Sequence, residues 1–297
     1  MLRDAGGARI VAGDCRAVLR TLPDESVHCI VTSPPYWRQR DYEADAQIGR
    51  EPSSGEYVAN IVGVMAECSR VLRKDGTLWL NLGDSREGLS LAGIPWRVAL
   101  ALIADGWILR QDIIWHKLRP MPDGAKNRPS IAHEYLFLFT RSDSYFYDAD
   151  AVREPVSQNS HGGRKPNPGS KASGVGNHKG GSLGLIREDG LRNRRSVWSI
   201  AGTPFPGAHC APFPVELVEP CILAGCPEGG MVLDPFGGAG TTGLAAMRMG
   251  RNATLIELNP SYVETARQRL GIFAEKDTHK PRVVTFEEEF PIRPVLG

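Results

Sequence analysis

Residues 231–243 read MVLDPFGGAGTTG, an apolar strand followed by a glycine-rich turn and the start of a helix. Glycines in such a turn let the backbone bend tightly and approach a ligand without interference from Cβ atoms. Residues 238–243 also have the GxGxxG spacing of a dinucleotide-binding turn. Glu257 ends the next predicted strand, where an acidic side chain can bind ribose hydroxyls. The segment predicts a Rossmann-like α/β fold with a ligand bound at this turn.

Asp234, the last residue of the strand, distinguishes between two classes of ligand. Its carboxylate would repel the pyrophosphate of a nicotinamide dinucleotide lying over the same turn. The same carboxylate suits a cationic ligand such as S-adenosylmethionine, which carries an ammonium and a sulfonium group. The residues favour the second class. An NAD-dependent oxidoreductase stays open as an alternative, as does a tight turn that binds no ligand.

Strand-like and helix-like segments alternate along the rest of the chain. Strands are predicted at 9–12, 27–32, 77–82, 109–115, 135–139, 231–233 and 253–257, and helices at 14–21, 57–72, 94–104, 213–224, 241–249 and 260–270. A turn is expected at 74–76, and Pro220 is expected to kink or interrupt its helix. This alternation predicts a mostly parallel sheet with helices on both faces.

A second motif follows strand VHCIVT, where the chain continues as Ser33-Pro34-Pro35-Tyr36-Trp37. The two prolines lack N–H donors, so the carbonyls before and between them are free to point into a cleft. Ser33 offers a hydroxyl, and the two aromatic residues offer flat faces. Such a group of side chains suits a planar ligand that bears an amino group. A proline-stiffened loop with two core aromatic residues is the alternative.

The two motifs together resemble those of bacterial and phage DNA amino-methyltransferases, which methylate N6 of adenine or N4 of cytosine. The resemblance covers residues 9–271. Residues 32–37 match the family's (D/N/S)PP(Y/F) catalytic motif, and residues 234–242 match its DPFxGxGTT cofactor turn. The catalytic motif precedes the cofactor turn, which is the permuted order of the β class. Protein-glutamine methyltransferases carry their NPPY motif after the cofactor turn and therefore match less well.

The resemblance implies S-adenosyl-L-methionine as cofactor and assigns roles to individual residues. Glu257 falls on the ribose-binding acid, Asp14 lies near the cofactor adenine, and residues 209–214 pack around the methionine end. The expected catalytic residues are Ser33, Pro34, Pro35 and Tyr36. The expected cofactor-binding residues are Asp14, His209, Ala211, Phe213, Pro214, Asp234, Pro235, Phe236, Gly238, Gly240, Thr241, Thr242 and Glu257.

The expected reaction begins with a base that flips out of the DNA duplex into a pocket lined by residues 115–117. The Ser33 hydroxyl and the Pro34 carbonyl would accept the two amino hydrogens while Tyr36 stacks on the base. The amine then attacks the sulfonium methyl group without a covalent enzyme intermediate. Ser33 favours cytosine N4, and adenine N6 stays open. Methylation at cytosine C5 would need a Pro-Cys nucleophile, and the single Pro-Cys pair, Pro220-Cys221, is predicted to be core.

Residues 152–200 form a predicted insertion between the two motifs. From 152 to 195 the segment carries nine basic and three acidic residues, a net charge of +6 in a chain whose total is +1. It is predicted to recognise DNA, with a solvated linker as the alternative. The expected DNA-binding residues are Trp37, Arg38, Arg40, Lys117, Arg192, Arg194 and Arg195. For Arg38 and Arg40, a place as solvated surface arginines is equally open. Asp84, after the third strand, is predicted either to lie at the cleft or to cap the next segment.

The composition limits the remaining classes. The chain has 297 residues, and its net charge of +1 excludes a histone-like protein. No apolar run approaches the roughly 20 residues of a membrane-spanning helix, and no signal-peptide stretch is seen. The six cysteines form no CxxC pair and the seven histidines no HExxH motif, so no metal is expected.

These observations predict a cytoplasmic protein of bacterial or phage origin that acts on double-stranded DNA as a homodimer. The predicted catalytic domain spans residues 1–271 and is interrupted by the insertion. The role of the tail, residues 272–297, stays unassigned.

Overall fold

The computed structural model describes residues 7–42, 44, 47–155, 190–202 and 213–271. Eight strands form the main sheet: β1 Ala8–Ala12, β2 Val27–Thr32, β3 Leu72–Leu82, β4 Ile108–Lys117, β5 His133–Thr140, β6 Val197–Ile200, β7 Met231–Asp234 and β8 Asn252–Glu257. Six α-helices accompany them: α1 Cys15–Leu19, α2 Ser54–Val71, α3 Ile94–Ala104, α4 Val215–Gly225, α5 Thr241–Arg248 and α6 Pro260–Leu270. None of these helices is long and apolar enough to cross a membrane.

The strand order across the sheet is β1-β8-β7-β2-β3-β5-β4-β6. Neighbouring strands are parallel, except that β5 runs antiparallel to both β3 and β4. The predicted Rossmann-like, mostly parallel sheet is therefore confirmed. The strand of the proline motif, β2, lies directly beside the strand of the glycine turn, β7, although about 200 residues separate them in the chain.

Successive side chains on a strand point to opposite faces of a sheet, and the buried residues follow this period of two. Ile30 and Leu233 belong to an apolar cluster on one face, whereas Cys29, Val31 and Val232 belong to a cluster on the other. The first cluster includes residues of α1, α2 and α3, and the second includes residues of α4 and α5. Helices cover both faces, as the sequence predicts.

Side chains fix where several helices begin. The Asp14 carboxylate accepts a hydrogen bond from the Arg16 amide at the start of α1, and the Ser53 hydroxyl accepts one from the Glu56 amide at the start of α2. Asp84 accepts hydrogen bonds from the amides of Gly93 and Ile94 at the start of α3. Asp84 therefore has a capping role, which answers the question left open by the sequence.

The structure differs from three local predictions. The helix α4 continues through Pro220 without interruption. The predicted turn at 74–76 lies inside β3, where the pairing with β2 jumps from Leu72 to Thr77. Residues 197–200, predicted as part of the insertion, form the edge strand β6, because they pair in parallel with 114–117 of β4. Most of the insertion, 156–189, and the tail, 272–297, lie outside the described residues.

Candidate active site

The strands β8, β7 and β2 end at the same edge of the sheet, and two adjoining cavities open there. In a parallel α/β sheet this carboxyl edge is the usual place for a ligand. Ser33, Tyr42, Phe236 and Gly238 line both cavities. We call the cavity that reaches β1 and β8 the first cavity, and the one that reaches β3, β4 and β5 the second cavity.

The glycine turn forms the wall between β7 and the first cavity. The Gly237 amide donates to the Ile256 carbonyl at 2.8 Å, which anchors the turn to β8. Gly238 and Gly240 have φ angles of 48° and 81°, values that L side chains rarely adopt. A Cβ on Gly240 would lie 3.1 Å from the Cβ of Ala266, so this glycine lets α6 pack against the turn.

Glu257 lies at the end of β8 and in the lining of the first cavity, and its binding to ribose stays a prediction. One carboxylate oxygen accepts the Gly238 amide and the other accepts the Asn259 amide, each at 2.8 Å. Burial raises the pKa of this carboxyl above its ordinary value. A carboxylate offers about four lone-pair positions, so two remain for ligand hydroxyls.

Asp14 lines the same cavity, but its carboxylate is already engaged. Arg16 donates to both of its oxygens, with the shortest contact at 2.6 Å. This hydrogen bond lowers the pKa of Asp14 below its usual value. Asp14 and Arg16 therefore present a joined acid and base, together with the apolar side chains of Ile48, Phe236 and Ile256.

Asp234 is buried at the end of β7 and links the two motifs. One oxygen accepts the Thr32 hydroxyl at 2.6 Å and the Phe236 amide at 3.0 Å, and the other accepts the Thr242 hydroxyl at 2.7 Å. Burial raises the pKa of Asp234 to about 6. The carboxyl lines the second cavity, although its hydrogen bonds go to the protein. Direct contact with a ligand stays a prediction.

The proline motif lies between the cavities. Ser33 lines both of them, Pro34 and Tyr36 line the second, and Pro35 lines the first. The Pro35 carbonyl accepts the Tyr57 hydroxyl at 2.9 Å. In the part of the chain that is described, no hydrogen bond reaches the Pro34 carbonyl. The acceptors expected from the sequence therefore lie at the junction of the two cavities.

A polar network surrounds the Tyr36 hydroxyl at the wall of the second cavity. This hydroxyl donates to Glu134 at 2.6 Å and accepts from the Asn81 amide at 2.7 Å and from the Ser33 hydroxyl at 3.3 Å. The other oxygen of Glu134 pairs with the Lys117 ammonium. Burial, followed by the nearby Glu134 carboxylate, raises the pKa of Tyr36 well above its usual value. The phenol therefore stays protonated and can act as a fixed hydrogen-bond donor.

The remaining predicted cofactor residues divide into three groups. Thr241 and Phe213 line the second cavity, and Pro235 lines the first. The Thr242 hydroxyl donates to the Asp234 carboxylate, and Pro214 lies at the start of α4. His209 and Ala211 lie outside the described residues.

Trp37 is not available to DNA, so its assignment as a DNA contact was wrong. Its ring is fully buried in the first apolar cluster, and its indole N–H donates to the Glu51 carbonyl at 3.0 Å. The adjacent Arg38 is exposed and stacks its guanidinium over this ring at 4.5 Å. A ring buried in this way cannot contact DNA.

The other predicted DNA contacts lie at the second cavity or near β6, the edge strand of the sheet. Arg40 and Lys117 line the cavity. Arg192 and Arg195 both donate to one oxygen of Glu154, at 2.9 and 2.8 Å. Arg194 lies over the Trp198 ring at 4.4 Å. Glu154 therefore compensates part of the positive charge that the sequence places here.

The site residues predicted from the sequence did not include Asn81, Arg119, Met121 and Glu134, which line the second cavity. Asn81 sits near the end of β3 and Glu134 near the start of the antiparallel strand β5, which brings it to the same edge. The signal was available in principle, because Asn81 interrupts the apolar run at 78–82 and Glu134 directly precedes the apolar run at 135–139. Glu134 could be placed at the site only by knowing that β5 runs antiparallel, since this brings the start of β5 to the edge where β3 ends.

Cys221 belongs to the core, as predicted. The thiol is buried in the second apolar cluster and donates to the Leu217 carbonyl at 3.2 Å. Burial raises the pKa of this thiol well above its ordinary value. A nucleophilic cysteine needs the opposite shift, so nothing supports chemistry of the cytosine-C5 type at this residue.

The fold is that of a Rossmann-like enzyme, and its first cavity suits a nucleoside-type ligand beside a second cavity that suits a planar group. A family model described as DNA methylase, of the N6/N4 methyltransferase type, matches residues 27–268. Type II methyltransferase M.Cfr9I of Citrobacter freundii is 43% identical over 296 residues, covering 90% of this chain and 89% of the relative. The chain therefore belongs to the DNA methylase family that modifies N6 of adenine or N4 of cytosine.

Two solved structures share the architecture. The PvuII DNA methyltransferase, named cytosine-N4-specific, superposes with a TM-score of 0.67 at 20% identity, covering 92% of this chain and 88% of that one. A putative DNA modification methylase of Thermus thermophilus, in complex with S-adenosyl-L-methionine, gives a TM-score of 0.60 at 26% identity and covers 89% and 95%. These likenesses match the Rossmann-like fold predicted from the sequence.

Proposed function

We propose that this chain transfers a methyl group from S-adenosyl-L-methionine to N4 of a cytosine that has flipped out of double-stranded DNA. The observation that carries the proposal is the position of Ser33 at the junction of two cavities. One cavity has the acid and apolar walls of a nucleoside site, and the other has the polar network of a base pocket. A group transferred between two ligands must cross such a junction.

The residues of the first cavity fit the cofactor. Glu257 keeps two lone-pair positions for ribose hydroxyls, and Phe236, Ile256 and Leu258 offer apolar surface to an adenine ring. Gly238 adopts a positive φ and has no Cβ, so no side chain projects from this position in the wall that both cavities share. The Thermus thermophilus relative was solved as a complex with this cofactor. When bound, S-adenosylmethionine supplies a methyl group activated by a positively charged sulfur.

The chain's own residues hold and activate the amine. The Ser33 hydroxyl donates its hydrogen to Tyr36 and accepts the Asn81 amide at 3.4 Å, which leaves one lone pair to accept from an amino group. The Pro34 carbonyl is a second acceptor. Two acceptors on the two amino hydrogens draw the nitrogen toward a pyramidal geometry, which localises its lone pair for attack. Proximity and alignment then supply much of the rate, and Ser33 forms no covalent bond.

Cytosine is proposed over adenine on two grounds. Ser33 stands where adenine enzymes of the family often have Asp or Asn, and the PvuII enzyme of the same fold is named cytosine-N4-specific. N6 of adenine is the alternative outcome. Both bases offer an amino group beside a ring nitrogen, so the network around Tyr36 suits either base.

The experiment follows a labelled methyl group from S-adenosylmethionine into DNA. We expect incorporation by the wild-type chain and a large loss with Tyr36→Ala, because stacking of an aromatic side chain on a base contributes about 1–3 kcal/mol. Cofactor binding should be nearly unchanged in this variant. Equal DNA-dependent function of the two proteins would favour a DNA-binding protein without catalysis.

The competing oxidoreductase is tested by calorimetry with NAD and S-adenosylmethionine. The buried carboxyl of Asp234 disfavours a pyrophosphate above the turn, so binding of S-adenosylmethionine alone is expected. Tight binding of NAD without binding of S-adenosylmethionine would revive the oxidoreductase.

We also propose that the protein acts as a homodimer in the bacterial cytoplasm, where its DNA substrate lies. Trp96, Leu100 and Ile103 are exposed apolar side chains at helical spacing on α3, which suits a second copy. Sedimentation equilibrium tests this pairing. Leu100→Glu should convert a dimer to a monomer, and a monomeric wild-type protein at micromolar concentration would contradict it.

A further inference from the structure

Met121 stands out in the loop that joins β4 to β5. Its side chain is 83% exposed, yet it belongs to the lining of the second cavity and therefore lies at the cavity mouth. Arg119, also exposed, lines the same mouth. Single exposed apolar residues are common on proteins, so exposure alone carries no meaning. The place of Met121 at the cavity mouth and the restrained loop around it indicate a function.

The loop is built to hold Met121 in place. Pro120 and Pro122 flank the residue and fix the backbone on both sides. At the base of the loop the Lys117 amide donates to the Ala132 carbonyl at 2.8 Å. Beyond Met121, the Arg128 guanidinium bonds to both oxygens of Asp123, at 2.5 and 3.3 Å. The backbone of such a closed loop loses little freedom when it meets a partner.

The chemistry of the neighbourhood indicates a nucleic-acid partner. Among the described residues the Arg119 guanidinium has no acidic partner, so it can contact a phosphate. Met is one of the apolar side chains that proteins insert between stacked bases. A base that enters the second cavity leaves a gap in the duplex directly outside the cavity mouth. An unbranched apolar side chain can fill that gap and replace lost stacking contacts.

We propose that Met121 inserts into the DNA duplex when the target base leaves it, and so stabilises the flipped state. The inference rests on the proposed function, because it requires a base in the second cavity. Met121 is a positioning residue here. It takes no part in methyl transfer, and it lowers the free energy of the extruded base relative to the stacked one.

The test compares two duplexes in single-turnover methylation by the full-length enzyme with S-adenosylmethionine. Both carry the methylation site, mapped beforehand by sequencing the modified bases of treated plasmid DNA. In one duplex the target base is paired, and in the other it faces an abasic position, which makes extrusion easier. We expect Met121→Ala to slow methylation of the paired duplex by about tenfold or more, and to match the wild-type rate on the other duplex.

Two further variants control the result. Met121→Leu keeps an apolar wedge and should retain most of the rate on the paired duplex. Leu118→Ala removes a side chain of the same loop that is 55% exposed and does not line the cavity, and it should match wild type on both duplexes. Thermal unfolding of each variant checks that the fold is unchanged.

Other outcomes overturn the inference. An equal loss on both duplexes, or no loss on the paired duplex, would show that Met121 does not stabilise an extruded base while leaving the proposed function intact. The absence of any modified base in the treated plasmid DNA would overturn the proposed function, and the wedge with it.

Discussion

At the scale of single residues, we predict that Asp234 couples cofactor binding to pH. Burial raises its pKa to about 6, and a bound cation favours the ionised form. The affinity for S-adenosylmethionine should therefore rise as the pH increases through about 6 and then level off. Calorimetry across this range measures the effect, and Asp234→Asn should remove the pH dependence. A wild-type affinity that falls as the pH rises would contradict this coupling.

The same shift has a consequence for stability with the opposite sign. Because the pKa in the folded state lies above the ordinary value of 3.8, folding favours the protonated carboxyl. The stabilisation from this group is complete below about 3.8 and is lost as the pH rises through about 6. Binding of the cationic cofactor should therefore stabilise the protein most at neutral pH.

Tyr36 and Glu134 should act on catalysis through their shared hydrogen bond of 2.6 Å. Tyr36→Phe and Glu134→Gln are each expected to lower the turnover number. Their combined effect should be smaller than the sum of the two, by a coupling free energy of about 0.5–3 kcal/mol. A double-mutant cycle on single-turnover rates measures this coupling. Strictly additive effects would mean that the hydrogen bond plays no part, and Arg73→Ala, remote from both cavities, provides the additive control.

At the scale of elements, Gly240 in the glycine turn and Gly229 before β7 both have a positive φ, but a neighbouring helix packs closely only on Gly240. Gly240 has a φ of 81° and contacts Ala266, whereas Gly229 has a φ of 73° and nothing within 4 Å of a built Cβ. Gly229→Ala should cost about 1 kcal/mol of unfolding free energy and Gly240→Ala about 2–3 kcal/mol. Denaturant unfolding compares the two variants. Equal losses of unfolding free energy would show that α6 moves away from the added Cβ without destabilising the protein.

The basic segment around β6 should contribute to DNA binding through phosphate contacts. Replacing Arg192, Arg194 and Arg195 with Ala should flatten the dependence of DNA affinity on salt, because fewer counterions are released. Affinity for S-adenosylmethionine should not change. Arg73→Ala, which removes the partner of Asp75, should keep the wild-type salt slope. An unchanged slope in the triple variant would move DNA recognition to the loop after Trp37 or to a partner subunit.

Elements were predictable where one local rule dominates. Helices α3 and α6 start and end at the predicted residues, because Pro at the first turn and an apolar period define them. Pro220 misled the prediction, since burial of α4 against the sheet outweighs one missing hydrogen bond. Glycine at position 76 suggested a turn, yet the strand continues there through a shift in register.

At the scale of the whole molecule, the first cavity was largely predictable and the second only in part. Pro235, Phe236, Gly238 and Glu257 come from contiguous motifs whose roles depend on local spacing. The network of Asn81, Glu134 and Lys117 depends on the reversal of β5, which no local pattern encodes. Trp37 was predicted at the surface although it lies in the core, because its burial depends on packing against residues distant in the chain.

The central claim, that Ser33 and Tyr36 present an exocyclic amine to a cofactor held at the glycine turn, is tested most directly by nucleoside mass spectrometry. Plasmid DNA is incubated with the purified chain and S-adenosylmethionine, digested to nucleosides and analysed, with Tyr36→Ala as the control. We expect N4-methylcytosine from the wild-type chain and far less from the variant. N6-methyladenine would contradict the proposed target base, and the absence of any methylated nucleoside would contradict the proposed methyl transfer.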